Sequence, residues 1–342
     1  MSALAGRTFL LGRGLWEWPI LVAIKVTWAI IDAGTLNLGS PRGISQRSKR
    51  LPAQARKEIL KYMRHSPAII KGIIEKGRFL VPYRIYENDG PHIVCINGVQ
   101  QSMAMWHSFI CRYAPYYRLV LFDFPGQGKG KVVSGPVFVT LDEQVDILLE
   151  VKKATGANNN MTICSASWGG IVAMAFASQY HNAAKKLCLA SLGTKANDKM
   201  VETIRMGSKI DHRDRQKMAD ILIESFGQNL PDNIKKKIVN QFQTMSGENL
   251  RAFYEHGLFV ISTKKIGDLI NLSNITAETF LIHGEKDTII DLEDVNFLAS
   301  QIPNCEVKIV KGAGHFLHME REDIFDVYED ILPIPPPGRR TF

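Results

Sequence analysis

The feature that most constrains this chain is an alternation of two textures that begins near Tyr83. Short strand-like runs ("YRIYE", "HIVCI", "RLVLFD", "MTICSA", "KKLCLASL", "TFLIHG" and "CEVKIV") recur along the sequence, and helical patterns separate several of them. The stretch "TLDEQVDILLEVKKAT" (140–155) is one such pattern, with Thr, Asp and Glu in its first turn. Alternation of this kind predicts an α/β fold with a mostly parallel, doubly wound sheet. It breaks once, between 193 and 272, where the pattern stays largely helical and no clear strand occurs. That break predicts a helical cap inserted into a core formed by 80–192 and 273–332. In a doubly wound domain such an insertion sits over the carboxyl edge of the sheet, where ligands bind. A chain of 342 residues is long enough for one such domain with its insertion.

Charge separates the remainder of the chain from this core. Of the net +8, residues 1–65 carry all, with 11 Lys/Arg against 3 Asp/Glu; the rest holds 31 of each sign. Within this basic extension "LWEWPILVAIKVTWAII" (15–31) is strongly apolar and holds three of the five tryptophans. From Pro19 to Ile31 only Lys25 and Thr27 are polar, and a helix of that length falls short of the ~20 apolar residues a membrane span needs. Acidic Glu17 ahead of the run, with no A-x-A-like site after it, also fits a cleaved signal poorly. Two readings stay open. The segment lies in a membrane interface, with Arg7, Arg13, Arg42, Arg47, Lys49 and Arg50 meeting anionic headgroups, or it packs as a helix on the main domain. Residues 39–57 read as a basic linker leading into a short helix, without the aromatic interleaving that nucleic-acid binding calls for. The proline-rich tail 333–342 need not fold. Five widely spaced cysteines (Cys95, Cys111, Cys164, Cys188, Cys305) argue against a disulfide framework, and predict buried thiols in a reducing, cytoplasmic setting.

The chemistry centres on "TICSASWGG" (162–170). A serine at a sharp strand-to-helix turn takes a strained backbone, so the positions two before and two after it must be small. Ser165 and Gly169, with Gly170 behind, meet that demand around Ser167, although glycine is usual where Ser165 stands. Alone, the pattern also fits a serine that merely caps a helix. Its partners decide the matter. In the α/β-hydrolase fold the order is nucleophile, acid, histidine, each after a later strand. "TFLIHGEKD" delivers Asp287 and "CEVKIVKGAGH" delivers His315, 120 and then 28 residues on, the longer interval holding the insertion. The loop "INGVQQ" after an earlier strand offers the backbone N–H of Val99, and Trp168 offers the second N–H of an oxyanion hole. The Trp168 ring is expected to wall the pocket. His315 and His318 lack the carboxylates or thiols that would complete a metal site, His283 reads as a strand-end residue, and no cofactor is expected. In the insertion, Met200, Met206, Met218 and Met245 read mostly as helix packing, with a minority lining a lipid-sized slot.

Several stretches carry a resemblance. "SASWGG", "NG" in place of the common "HG" at the oxyanion loop, "VLFD" followed by proline, and "GAGHFLHME" resemble two related bacterial families. One is the 3-(3-hydroxyalkanoyloxy)alkanoic acid synthases of rhamnolipid biosynthesis. The other is the 3-hydroxyacyl-acyl-carrier-protein:CoA transacylases and thioesterases linked to polyhydroxyalkanoate synthesis. The likeness covers roughly 83–332 and leaves the first 80 residues outside it. It implies an acyl-enzyme formed on Ser167 from a 3-hydroxyacyl thioester of carrier protein or CoA, with His315 as base and Asp287 as its orienter. A serine esterase or thioesterase is the alternative, and a silent hydrolase-fold protein that binds a lipid or partner a third reading. The basic extension would then dock an acidic carrier protein or CoA, or hold the enzyme peripherally at an anionic inner membrane surface.

Overall fold

The computed structural model describes residues 67–263 and 268–334, within the unit Pro67–Phe342. The expectations for the basic extension, its linker helix and nearly all of the tail lie outside these residues.

Two strands open the unit, β1 (Ile69–Lys76) and β2 (Phe79–Tyr86), joined as an antiparallel hairpin through Gly77, whose φ is +56°. The sequence reading begins only at Tyr83 and misses β1 and the first half of β2. The physical reasons are local. Pro82 sits inside β2, where proline argues against a paired strand, and β1 is a sheet edge whose isoleucines stay partly exposed and show no alternation.

The parallel core follows with β3 (His92–Ile96), a 3-10 turn (Met103–Trp106), α1 (His107–Tyr113), β4 (Arg118–Phe122), the short β5 (Lys131–Val132) and α2 (Leu141–Thr155). A capping box starts α2: Thr140 accepts the Glu143 N–H while the Glu143 carboxylate accepts the Thr140 N–H. Gly156 in the left-handed region ends it. Next come β6 (Thr162–Ala166), α3 (Trp168–Gln179) and β7 (Lys186–Ala190). Four helices then intervene, α4 (Asp198–Ser208), α5 (Arg215–Phe226), α6 (Asp232–Thr244) and α7 (Gly247–Ser262). The chain returns through β8 (Glu278–Gly284), α8 (Leu292–Gln301), β9 (Cys305–Val310), α9 (Leu317–Glu320) and α10 (Ile324–Ile331).

The strands order as β1-β2-β4-β3-β6-β7-β8-β9, with β5 beside β2; β1, β2 and β5 pair antiparallel and all pairs from β4 to β9 run parallel. The central strands are buried on both faces, which is why they read as unbroken apolar runs. Val94, Ile163, Leu187 and Leu281 join the core beneath α2, α3 and α8; Ile93, Cys164, Cys188 and Phe280 join the other, beneath α1 and α10. Cys95, Cys164 and Cys188 form a register-matched row across β3, β6 and β7 and are fully buried, whereas Cys111 and Cys305 are only half-buried, a departure from the expected burial of all five. The intervening helices hold a separate small core of Met218, Ala219, Phe242 and Leu250. Among the described residues no helix is long and apolar enough to cross a membrane.

Candidate active site

Ser167 stands between the end of β6 and the start of α3 with φ 49° and ψ −124°, a backbone state that non-glycine residues rarely adopt. The surroundings hold it there. Its N–H donates to the Ala190 carbonyl at 2.7 Å, and the Ser167 carbonyl accepts the Gly170 N–H at 2.8 Å. Gly169 explains why a small residue must follow. A Cβ there would lie 2.6 Å from the Asn97 carbonyl oxygen and 2.7 Å from that of Ile96, so α3 presses directly on the backbone at the end of β3. Ser165, in place of the usual glycine, is fully buried, and its hydroxyl has no hydrogen-bond partner. Gly169→Ala is expected to cost about 1–3 kcal/mol of stability through overpacking. It should also slow fluorophosphonate labelling of Ser167 at least tenfold, both measurable on one purified variant.

The sheet topology brings the three expected side chains together at the carboxyl ends of β6, β8 and β9. His315 Nε2 lies 3.2 Å from Ser167 Oγ, and His315 Nδ1 lies 2.9 Å from Asp287 Oδ2. The other carboxylate oxygen, Oδ1, accepts the N–H groups of Ile289 at 2.9 Å and Ile290 at 3.1 Å. Burial alone would raise the Asp287 carboxyl, but the charge and hydrogen bond of His315 and the Ile289 N–H outweigh it and hold the group below its ordinary range. The histidine loop is fixed from two sides. The Ser191 hydroxyl donates to the His315 carbonyl at 2.6 Å. The Glu320 carboxylate accepts the N–H groups of Gly314 and Phe316, one on each side of His315. This arrangement suits proton transfer from Ser167 to an imidazole held in one tautomer.

The loop after β3, expected from the sequence to offer the Val99 N–H, is tied to its neighbours by a buried polar cluster. Asn97 donates to Asp123 at 3.2 Å and to the Phe122 carbonyl at 3.0 Å, and accepts from the Trp106 indole at 2.8 Å. Asp123 also accepts the N–H groups of Met103 and Lys129, joining this loop to the glycine-rich turn "PGQGKG". Sequence reading took Asn97 and Asp123 only as parts of the motifs "NG" and "VLFD" and gave their side chains no role. Among the described residues neither Val99 N–H nor Trp168 N–H makes a backbone hydrogen bond outside regular elements, and the first N–H groups of a helix such as α3 have no intrahelical partner.

Trp168 corrects one expectation. Its side chain does not line the cavity beside Ser167 but turns toward α2, donating from Nε1 to Gln144 Oε1 at 2.9 Å. His256 lies against it, ring centroids 4.4 Å apart, and takes the wall position instead. The cavity that Ser167 and His315 open onto measures about 110 Å³; Met200, Met218, Leu222 and Phe226 make much of its surface apolar. Of the four methionines singled out in the sequence, Met200 and Met218 line it, Met206 is exposed, and Met245 packs on the small core of the intervening helices. A larger, open depression near Asp268 and Phe297 contains none of the three central side chains.

The second histidine of the loop has another role. His318 hydrogen-bonds the Tyr328 hydroxyl at 2.8 Å inside the core, and burial pushes its pKa down to about 3. His256 is likewise pushed down to about 3 by burial. Both stay neutral in the fold where the unfolded chain takes up protons, so stability is expected to fall as pH drops from about 6.5 toward 3. Substituting His318→Asn should lower that proton uptake by about one, read from the slope of stability against pH. His283, at the end of β8, is buried with Nδ1 unpartnered, and burial is the first cause of its lowered pKa.

A family model described as alpha/beta hydrolase fold matches residues 91–322. The (R)-3-hydroxydecanoyl-ACP:CoA transacylase of Pseudomonas putida is 24% identical over 264 residues, 75% of this chain and 88% of that protein. Human monoacylglycerol lipase is 24% identical over 262 residues, 72% and 76% respectively. Among solved structures, a thermophilic esterase from Thermogutta terrifontis superposes with a TM-score of 0.64 at 19% identity, over 78% of this chain and 98% of the esterase. The resemblance to 3-hydroxyacyl transacylases carried by the sequence motifs thus extends across most of the chain. With two thirds of its length matched and both acyltransferases and lipases among its relatives, the chain belongs to the enzymes of the α/β-hydrolase fold family.

Proposed function

We propose that the protein is an acyltransferase that takes a 3-hydroxyacyl group from a carrier-protein or CoA thioester through an acyl-serine on Ser167. The observation that carries this reading is the Ser167–His315–Asp287 hydrogen-bond chain opening onto a mostly apolar cavity. The substrate class comes from the transacylase relatives. Residues 193–272 act as the cap over this site.

In the first half-reaction Ser167 Oγ bonds to the thioester carbonyl carbon as its proton passes to His315 Nε2. The N–H groups of Trp168 and Val99 hold the oxyanion. Collapse breaks the C–S bond, and His315 returns the proton to the departing thiolate. In the second, a bound hydroxyl or thiol gives its proton to His315 and receives the acyl group, freeing Ser167. A water-poor cavity favours such an acceptor over hydrolysis. Hydrolysis to a free 3-hydroxy acid is the second reading, favoured by the lipase relatives.

Mass spectrometry of the products from 3-hydroxydecanoyl-carrier protein, with and without CoA, tests the reading. A dimeric ester or an acyl-CoA supports transfer and names its acceptor; free 3-hydroxy acid alone contradicts transfer in favour of a thioesterase. The basic residues 1–65 serve either to dock the anionic donor or to hold the enzyme at an anionic membrane surface. A chain lacking them that keeps both carrier-protein and vesicle affinity contradicts both roles.

A further inference from the structure

We propose that His256 reads the hydroxyl group of the acyl chain, its imidazole hydrogen-bonding the 3-hydroxyl and so favouring hydroxyacyl over unsubstituted acyl thioesters. The proposal rests on the acyl-transfer reading above and assigns the residue that sets its substrate preference.

The argument starts from an unpaired polar group in an apolar wall. His256, on α7, lines the cavity shared by Ser167 and His315 and is only 8% exposed. Its Nε2 is enclosed and has no hydrogen-bond partner. Aromatic rings surround it instead: Trp168 at 4.4 Å, nearly perpendicular, with Phe138 and Phe259 farther off. A phenylalanine would pack in such a place without leaving a buried ring nitrogen unpaired, which disfavours the folded state. Other polar side chains on this wall have partners for their oxygens. Thr203 Oγ1 bonds Ser225 Oγ and the Lys199 carbonyl, Gln101 Oε1 accepts the Gly98 N–H, and Ser167 pairs with His315. Tyr254 is half-buried and faces the His212 ring.

The chemistry selects the ligand group. Burial keeps His256 neutral, so its ring offers one N–H donor and one nitrogen acceptor. A carboxylate or phosphate, charged itself, would be poorly solvated against this buried, neutral ring in an apolar wall, and a keto oxygen would use the donor alone. A hydroxyl matches either nitrogen, because it both donates and accepts. A site built to hydrogen-bond a substrate hydroxyl discriminates strongly against the analogue that lacks it, since the protein group is then left unpaired.

The test compares 3-hydroxydecanoyl and decanoyl thioesters of N-acetylcysteamine as substrates for the full-length protein and three variants. The wild type is expected to prefer the hydroxy compound in kcat/KM by at least about tenfold. In His256→Phe that ratio should fall about tenfold, and His256→Gln, which keeps a hydrogen-bonding group, should retain part of it. Tyr254→Phe, which removes another polar group from the wall, should leave the ratio in place. Fluorophosphonate labelling of Ser167 reports that each variant is folded. Turnover of both thioesters with an unchanged ratio in His256→Phe, or a ratio lost in Tyr254→Phe instead, overturns the assignment to His256 alone. Failure to turn over either thioester while Ser167 still labels overturns the acyl-transfer reading and this proposal with it.

Discussion

Ser167→Ala is expected to lower turnover of a 3-hydroxyacyl thioester by about 10⁴-fold or more while leaving the fold intact. The reasoning is positional. The hydroxyl is the only part of Ser167 that the substitution removes, and His315 Nε2 is its partner at 3.2 Å. The strained backbone at φ 49° is set by hydrogen bonds of the main chain to Ala190 and Gly170, which alanine keeps. Alanine also adds no atom beyond Cβ, so the close approach of α3 to β3 at Gly169 is undisturbed. Steady-state rates on purified protein, with circular dichroism as the folding control, measure the effect. A loss of less than about tenfold would mean that the thioester is cleaved without an acyl-serine.

Asp287→Asn is expected to lower kcat by about 10³–10⁴-fold with a much smaller change in KM. One carboxylate oxygen of Asp287 already accepts two backbone N–H groups, from Ile289 and Ile290. An asparagine must place its carbonyl oxygen there, because its NH₂ cannot accept. The NH₂ then faces His315 Nδ1 at the position where Oδ2 now lies 2.9 Å away. Two donors cannot share that bond, so the imidazole loses its proton from Nδ1 and carries it on Nε2, where it can no longer accept from Ser167. The geometry survives and the proton transfer does not. Because the Asp287 carboxyl is held below its ordinary range, it also contributes stability that is present above that range and lost as pH falls through the lowered value. The variant should therefore show a weaker loss of stability at the acid end, an effect opposite in sign to its loss of activity.

Much of the site was legible in the sequence because its demands are local and its partners follow a fixed chain order. The serine needs small residues at 165 and 169; the acid and the histidine each follow a strand that announces itself as an apolar run. Those signals survive a long insertion, since an insertion at a sheet edge lengthens the chain between strands without moving their ends. What stayed hidden is set by tertiary contacts. β1 is an edge strand whose partner is known only once β2 folds back on it. Trp168 could not be placed because its choice depends on Gln144, 24 residues earlier on α2. Glu320 lies in the motif "GHFLHME", yet its grip on the N–H groups flanking His315 appears only when α9 closes the loop. His256 gave no signal at all. A histidine among apolar residues of an amphipathic helix is unremarkable until its nitrogen is found enclosed and unpartnered on a residue lining the cavity that Ser167 opens onto.

The central claim is that an acyl group passes through a covalent bond to Ser167. Rapid-quench intact-mass analysis after mixing the enzyme with 3-hydroxydecanoyl-carrier protein tests it most directly. The account predicts a transient mass increase of one 3-hydroxydecanoyl group, mapped to the peptide containing Ser167, absent in Ser167→Ala and discharged when an acceptor is added. Product formation with no such adduct at any quench time, or an equal adduct in Ser167→Ala, would contradict it.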